Sequence, residues 1–176
     1  MSKYMFVSDI HGNVEMLEKC VEVFEKNNFD KLIILGDTSA GYYDEDKNYI
    51  LAEILNGLGN KVEVIRGNCD SSDFEDKLDF EVFENDILYI NSKFISIEHG
   101  HRYNMYNLPP NCGDIFIQGH THVPVLIKQG GRILGNPGSV SRPRGTDLRC
   151  FILVDEEKVS LCTLDGAVIN EVKLEE

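Results

Sequence analysis

The chain carries five histidines, and each stands in a turn beside an acid, a glycine or another histidine. They fall in Asp9-Ile10-His11, His99-Gly100-His101 and Gly119-His120-Thr121-His122. Two further turns, Gly36-Asp37 and Gly67-Asn68-Cys69-Asp70, add a carboxylate and a carboxamide. Imidazole, carboxylate and carboxamide together suit borderline divalent metals such as Mn, Fe, Co, Ni or Zn. Seven donors (Asp9, His11, Asp37, Asn68, His99, His120 and His122) exceed what one ion needs. Two ions sharing one carboxylate use them economically, and a pair about 3.5–4 Å apart is the hydrolytic arrangement for phosphate esters. Taken singly, Asp9 reads as a helix cap, and Asp37 and Asn68 read as turn formers. Asn13 already serves as a cap, and the recurrence of the pattern argues against the plainer readings.

The elements that must position these turns follow from hydrophobic periodicity. Lys3 to Ser8 reads as a buried strand, and Asp9 and His11 leave its end. Val14, Leu17, Cys20, Val21 and Phe24 fall at helical spacing behind Asn13 as N-cap. Leu32 to Leu35 is a continuous apolar strand with Gly36-Asp37 at its exit. Gly41 to Asp46 reads as a loop, followed by a helix through Ile50, Leu51, Ile54, Leu55 and Leu58 that Gly59-Asn60 closes. Val62 to Ile65 is a third strand, so this half implies right-handed βαβ crossovers and a largely parallel sheet. The second half reads as short strands at Glu81–Phe83, Ile87–Ile90, Phe94–Ile97, Ile115–Ile117, Val123–Lys128 and Arg132–Leu134, with Asn85-Asp86 fitting a hairpin turn. Cys150–Val154, Val159–Thr163 and Val168–Val172 form a meander. Every histidine thus leaves the end of a strand, and two packed sheets with helices outside are expected.

At 176 residues the chain fits one domain, 1–176, able to bury a core. Met1-Ser2-Lys3 lacks the pattern of a signal peptide. No apolar run approaches the roughly 18 residues of a membrane span. Five scattered cysteines without a Cys-x-x-Cys pair suggest neither a disulfide framework nor a zinc finger. The expected compartment is a reducing cytoplasm. A net charge of -13 opposes nucleic-acid polymers and anionic membranes as partners.

The ordered blocks Asp9-Ile10-His11, Gly36-Asp37, Gly67-Asn68-Cys69-Asp70, His99 and Gly119-His120-Thr121-His122 resemble the signature of the calcineurin-like metallophosphoesterase superfamily. The compact size and the Asn136-Pro137-Gly138-Ser139 turn resemble its small prokaryotic phosphodiesterase branch. The resemblance spans essentially the whole chain. It implies an α/β fold, a four-layer αββα sandwich of two mixed β-sheets flanked by helices. Asp9, His11 and His122 would hold one ion, Asn68, His99 and His120 the other, and Asp37 would bridge them. Manganese is the leading expectation, with Ni, Zn, Fe or Co as alternatives. The implied reaction is hydrolysis of a small phosphodiester by a hydroxide between the ions, with Asn68, Cys69 and His99 among the catalytic groups.

One position departs from the pattern. Many relatives carry histidine where this chain has Cys69, and that histidine contacts the phosphate and assists the leaving group. A thiol is a poor donor and cannot carry an imidazolium's charge. General acid catalysis is worth roughly 10²–10⁴-fold, so slow turnover or a demand for good leaving groups is expected. Cysteine here also resembles the small phosphodiesterase branch, so it does not mark a dead enzyme.

Other residues carry weaker signals. His101 reads equally as a substrate or supporting contact and as a surface histidine. Arg142 and Arg144 could meet the substrate's second substituent, although a solvated or subunit-facing pair is favoured, and a homo-oligomer is compatible with that. Tyr42-Tyr43 could stack on a ring, with loop packing the plainer expectation. Asp70 is expected to support the Asn68 turn, and Cys20, Cys150 and Cys162 to lie in the core. Two alternatives stand beside the diesterase: a phosphomonoesterase, and a non-catalytic protein-binding scaffold, since the fold also resembles that of a eukaryotic retromer subunit. A nuclease is disfavoured by the acidic surface and the short chain.

Overall fold

The computed structural model describes residues 2–174, so both ends of the expected 1–176 domain, residues 1, 175 and 176, lie outside the described residues. Eleven strands and three α-helices are formed among the described residues. The chain builds β1 (Tyr4–Val7), α1 (Val14–Lys26), β2 (Lys31–Ile34), α2 (Glu45–Leu58), β3 (Val62–Val64) and the short α3 (Ser72–Glu75). It continues with β4 (Asn85–Ile90), β5 (Lys93–Glu98), β6 (Ile115–Ile117), β7 (Val125–Gln129) and β8 (Arg132–Asn136). The final three are β9 (Cys150–Val154), β10 (Lys158–Thr163) and β11 (Val168–Lys173).

Two mixed sheets result, as expected. The first has the order β11-β10-β9-β1-β2-β3, parallel across β1, β2 and β3 and antiparallel through the terminal meander. The second has the order β4-β5-β6-β8-β7, with parallel pairs at β5-β6 and β6-β8. Alternation along the strands separates two apolar clusters. Met5, Val7, Leu32, Ile34, Val62 and Val64 face the helices and pack against Leu17, Cys20 and Phe24 of α1 and Leu51 and Leu55 of α2. Phe6, Ile33, Leu35, Ile95, Ile97, Ile115 and Ile117 fill the space between the sheets. The segment that joins β5 to β6 lies along the outer side of the second sheet: Gly113 N donates to Ser96 Oγ at 2.9 Å and Met105 N to Gln118 Oε1. Among the described residues no helix is long and apolar enough to cross a membrane.

Local chemistry explains where elements begin. Asn13 caps α1, its Oδ1 accepting from Met16 N at 3.2 Å. Asp44 caps α2 by accepting from Lys47 N, so this helix starts five residues before Ile50, inside the expected loop. Ile50 consequently points outward, 44% exposed, while Leu51 and Leu55 are buried. Gly59 ends the helix with φ 57°, as expected of a C-cap glycine.

Further boundaries differ from the sequence reading in ways that have a local cause. Asn85-Asp86 does not form the hairpin turn but opens β4, and the turn is Asn91-Ser92. Both of its residues take positive φ (43° and 62°), which matches the twist of the flanking strands. Glu81–Phe83 makes a single bridge, Ile65 to Phe83, because the chain must then cross to the second sheet. The strand expected from Val123 begins at Val125, since Pro124 has no N–H for the ladder. Cys20, Cys150 and Cys162 are buried and unpaired.

Candidate metal centre

The carboxyl ends of β1, β2, β5 and β6 open onto one crevice, where ligands bind in open α/β sheets. The turns are stitched to each other through their backbones. Asp9 N donates to Gly36 O at 3.1 Å, His11 N to Asp37 O at 2.8 Å, and Gly119 N to His99 O at 2.8 Å. Glycine is required where they touch. A Cβ on Gly67 would lie 2.1 Å from Asp37 N, and one on Gly119 would lie 1.8 Å from Ser8 Oγ. Asp9, His11, Asp37, His120 and His122 all have φ between 47° and 67°. Outside glycine the left-handed region is sparsely populated, though Asp and His are enriched there, so the turns hold their side chains at a conformational cost.

The donors gather into neighbouring clusters. Asp9, His11 and His122 offer atoms within 4.8 Å of one another, as do Asp37, His99 and His120. His11 Nε2 lies 3.1 Å from His122 Nε2. His122 Nε2 is 3.2 Å from Asp9 Oδ1. On the other side, His99 Nε2 is 3.1 Å from Asn68 Oδ1 and 3.2 Å from His120 Nδ1. Asp37 faces both sides: Oδ1 is 3.4 Å from His99 Nε2, and Oδ2 is 3.7 Å from His11 Nε2.

Two backbone carbonyls set the ring tautomers. A carbonyl only accepts, so His99 Nδ1–H donates to Leu35 O (2.7 Å) and His122 Nδ1–H to Arg142 O (2.9 Å). Each ring, when neutral, therefore turns an Nε2 lone pair inward, as the other nitrogen of a ligating histidine must allow. Each inward nitrogen lies beside both oxygen atoms and a second imidazole nitrogen: Asp9 Oδ1 and His11 Nε2 for His122, and Asp37 Oδ1, Asn68 Oδ1 and His120 Nδ1 for His99. Asp9 Oδ1 is buried without a hydrogen-bond partner among the described residues, although Oδ2 accepts from Ser8 Oγ (2.6 Å) and His120 N (2.9 Å). Carboxylate, carboxamide and imidazole atoms converging around such an oxygen offer the lone pairs that a divalent cation would join. The residues present thus fit divalent metal.

The electrostatics agree. Burial disfavours ionised Asp37, yet the hydrogen bond and charge of His99, together with Cys69 N–H (2.8 Å), hold its carboxyl well below the usual carboxylate range. Burial would lower His99, but Asp37 outweighs it and raises the imidazole. Contact with Asp9 raises His122 against its burial. Burial lowers His11, where Asp37 and Asp9 only partly oppose it, and lowers His120 with help from His99. Desolvation and the charges of Asp37, Asp70 and Asp9 push the Cys69 thiol up to about 11.

The remaining candidates sit around this core. Cys69 is exposed at the mouth, with Sγ 3.3 Å from Asn68 Nδ2. The exposed ring of His101 lies 5.5 Å from that of His99 and 6.3 Å from that of His120, centroid to centroid. Arg142 meets the cluster through its backbone carbonyl, while its exposed guanidinium lowers the His11 pKa from the rim. Asp70 accepts from Thr38 N, Ser39 N and Gly67 N, each at 2.8 Å, and so ties the Asp37 and Asn68 turns together. The loop packing expected for Tyr42 and Tyr43 is absent: they are 70% and 98% exposed, because the fold anchors only the preceding backbone, through Asn48.

The supporting polar residues were missed in the sequence. Ser8 anchors Asp9, Ser139 Oγ donates to Asp9 O at 2.7 Å, and Asn136 Nδ2 donates to Gly119 O at 2.7 Å. Asn136-Pro137-Gly138-Ser139 stood out as a turn, which was the only signal for the latter two.

Residues 3–159 match the profile of the calcineurin-like phosphoesterase superfamily domain. The chain is 33% identical to phosphodiesterase YfcE of Escherichia coli (strain K12), over 99% of both sequences. The solved structure of YfcE, a phosphoesterase from E. coli, superposes with a TM-score of 0.88 at 31% identity and covers 98% of this chain and 100% of that one. Vacuolar Protein Sorting 29 from Cryptosporidium parvum shares the fold, with a TM-score of 0.68 at 18% identity over 99% of this chain and 98% of that one.

Proposed function

The chain belongs to the calcineurin-like phosphoesterase superfamily, hydrolases of phosphoric esters, and from that premise we propose that it is a dinuclear phosphodiesterase acting on a small phosphodiester. The observation that carries this reading is Asp37, whose two oxygens face separate donor clusters. Asp9, His11 and His122 would hold one divalent cation, Asn68, His99 and His120 the other, and Asp37 both. When bound, such a pair, with manganese the leading expectation, activates water near neutral pH and withdraws charge from the phosphoryl oxygens.

The chain's own groups supply orientation. His99 and His122 are held lone-pair inward by Leu35 O and Arg142 O, so neither ring must turn to meet a cation. Cys69 borders the crevice where the departing alkoxide needs a proton, and its neutral thiol donates weakly. The Arg142 guanidinium offers positive charge on the His11 side, suited to the second substituent of a diester, and His101 offers a donor beside His99.

The test combines metal analysis of protein purified without chelator with assays on bis-p-nitrophenyl phosphate and p-nitrophenyl phosphate under Mn²⁺, Ni²⁺ and Zn²⁺. Two ions per chain with faster diester than monoester hydrolysis is the expected result. The reverse preference would make it a monoesterase, and loading without hydrolysis under any ion would point to a binding scaffold.

A further inference from the structure

We propose that Cys69 is a conditional donor to the His11–Asp37 side of the centre, taken up by thiophilic cations such as zinc or cadmium and left free by manganese. The inference rests on the dinuclear reading and concerns which ions that centre prefers. His11, Asp37 and Cys69 form a third group whose donor atoms lie within 4.8 Å of one another. Two observations set the thiol apart from an incidental surface cysteine. Cys69 N donates to Asp37 Oδ1 at 2.8 Å, so the backbone that carries the thiol is tied to the carboxylate facing both clusters. On the same side, the buried Asp9 Oδ1 lacks a hydrogen-bond partner and lies 3.8 Å from His11 Nε2, where a cation would complete it.

Sγ touches Asn68 Nδ2 at 3.3 Å and hydrogen-bonds the Asp37 carboxylate, so it already lies against the cluster while remaining open to solvent. Ligation would break the S–H bond, release the proton to solvent and form a sulfur–metal bond, without electron transfer. Soft thiolate selects zinc-like ions, whereas oxygen and imidazole donors suffice for manganese. The chain would thereby bind zinc and cadmium more tightly than its histidines and carboxylates alone allow. The engaged sulfur would occupy space at the mouth that substrate otherwise enters.

Ultraviolet titration of the metal-stripped full chain with Cd²⁺, alongside equilibrium dialysis with Cd²⁺ and Mn²⁺, tests this. Cd²⁺ should produce a thiolate-to-metal charge-transfer band that Cys69→Ser abolishes and Mn²⁺ never elicits. Cys69→Ser should weaken Cd²⁺ binding about 10-fold or more, within the range that even outer contacts contribute to metal affinity, and leave Mn²⁺ binding within about twofold. Circular dichroism checks that the variant folds, and Cys69→Ala, which leaves no donor, should repeat the result. Two Cd²⁺ ions bound with no band, or a band that survives both variants, would overturn the assignment of Cys69 while leaving the dinuclear centre intact. Failure of the wild-type chain to bind any ion would overturn both.

Discussion

Asp37 turns Oδ1 toward His99 and Oδ2 toward His11, so the Asp37→Asn variant should disturb both halves of the centre at once. An amide nitrogen cannot replace the second oxygen as an acceptor. Bound metal should fall below two ions per chain, and turnover should drop by at least the ~10–100-fold that the loss of a supporting contact costs. Metal analysis beside the diester assay checks this, and two retained ions would speak against sharing. The complementary change is Cys69→His, which restores a donor able to carry charge. It should raise the rate on a phosphodiester by up to about 10²-fold, the low end for general acid catalysis. An unchanged or lower rate at equal metal content would remove Cys69 from the leaving-group step. Both residues were legible because donors in strand-exit turns have a spacing visible along the chain. The supporting role of Ser8 was not, and Ser139 and Asn136 showed only as parts of a turn, because no local pattern marks either as the anchor of a turn 17 or more residues away.

Turns and strands set the distances between these donors. Gly67 approaches Asp37 so closely that Gly67→Ala would drive a methyl group into its backbone and carboxylate. That variant should lose about 1–3 kcal/mol by overpacking, together with its bound metal. Chemical denaturation and metal content measure the two effects, and a stable, fully loaded Gly67→Ala would show that the turn tolerates displacement. A second element-scale prediction concerns Glu63 of β3, buried beside Lys31 of β2, with one carboxylate oxygen lacking a hydrogen-bond partner. Burial raises its pKa against the pull of Lys31, and Asp86 adds to the rise. A carboxyl whose folded pKa is raised contributes stability below its unfolded pKa and loses that contribution as pH rises through the folded value. Lys31→Met removes the compensating cation, so it should destabilise by about 1–3 kcal/mol at pH 7.5. The difference in Tm from the parent should shrink progressively as pH falls and Glu63 takes up a proton, and a difference that stays constant with pH would contradict this account. The hairpin was misplaced for a related reason. Asn85-Asp86 has turn chemistry, but the pairing of Ile90 with Lys93 puts the reversal at Asn91-Ser92.

Across the whole molecule, the centre is a stability cost that cations should relieve. Five of its residues take positive φ, and the buried Asp9 Oδ1 lacks a hydrogen-bond partner. A cation that binds only the folded chain at 100 times its Kd adds about 2.7 kcal/mol. For a chain of this size that raises Tm by roughly 5–11 °C. Chelator should lower Tm and Mn²⁺ should restore it, and a melting curve indifferent to both would count against the centre. The acidic surface, with a net charge of -13, does not oppose such ions and disfavours polyanions, in keeping with a small diester.

The amino-acid sequence alone determined the kinds of donor, their order and their place at strand ends. Apolar periodicity and the turn chemistry of glycine, aspartate and asparagine act over a few residues, so they can be read locally. Tertiary structure alone decided which oxygen of Asp37 meets which histidine and which ring nitrogen turns inward. Leu35 lies 64 residues from His99, and Arg142 lies 20 from His122. Whether such pairs meet depends on sheet register and on how two sheets pack, and no local pattern encodes that.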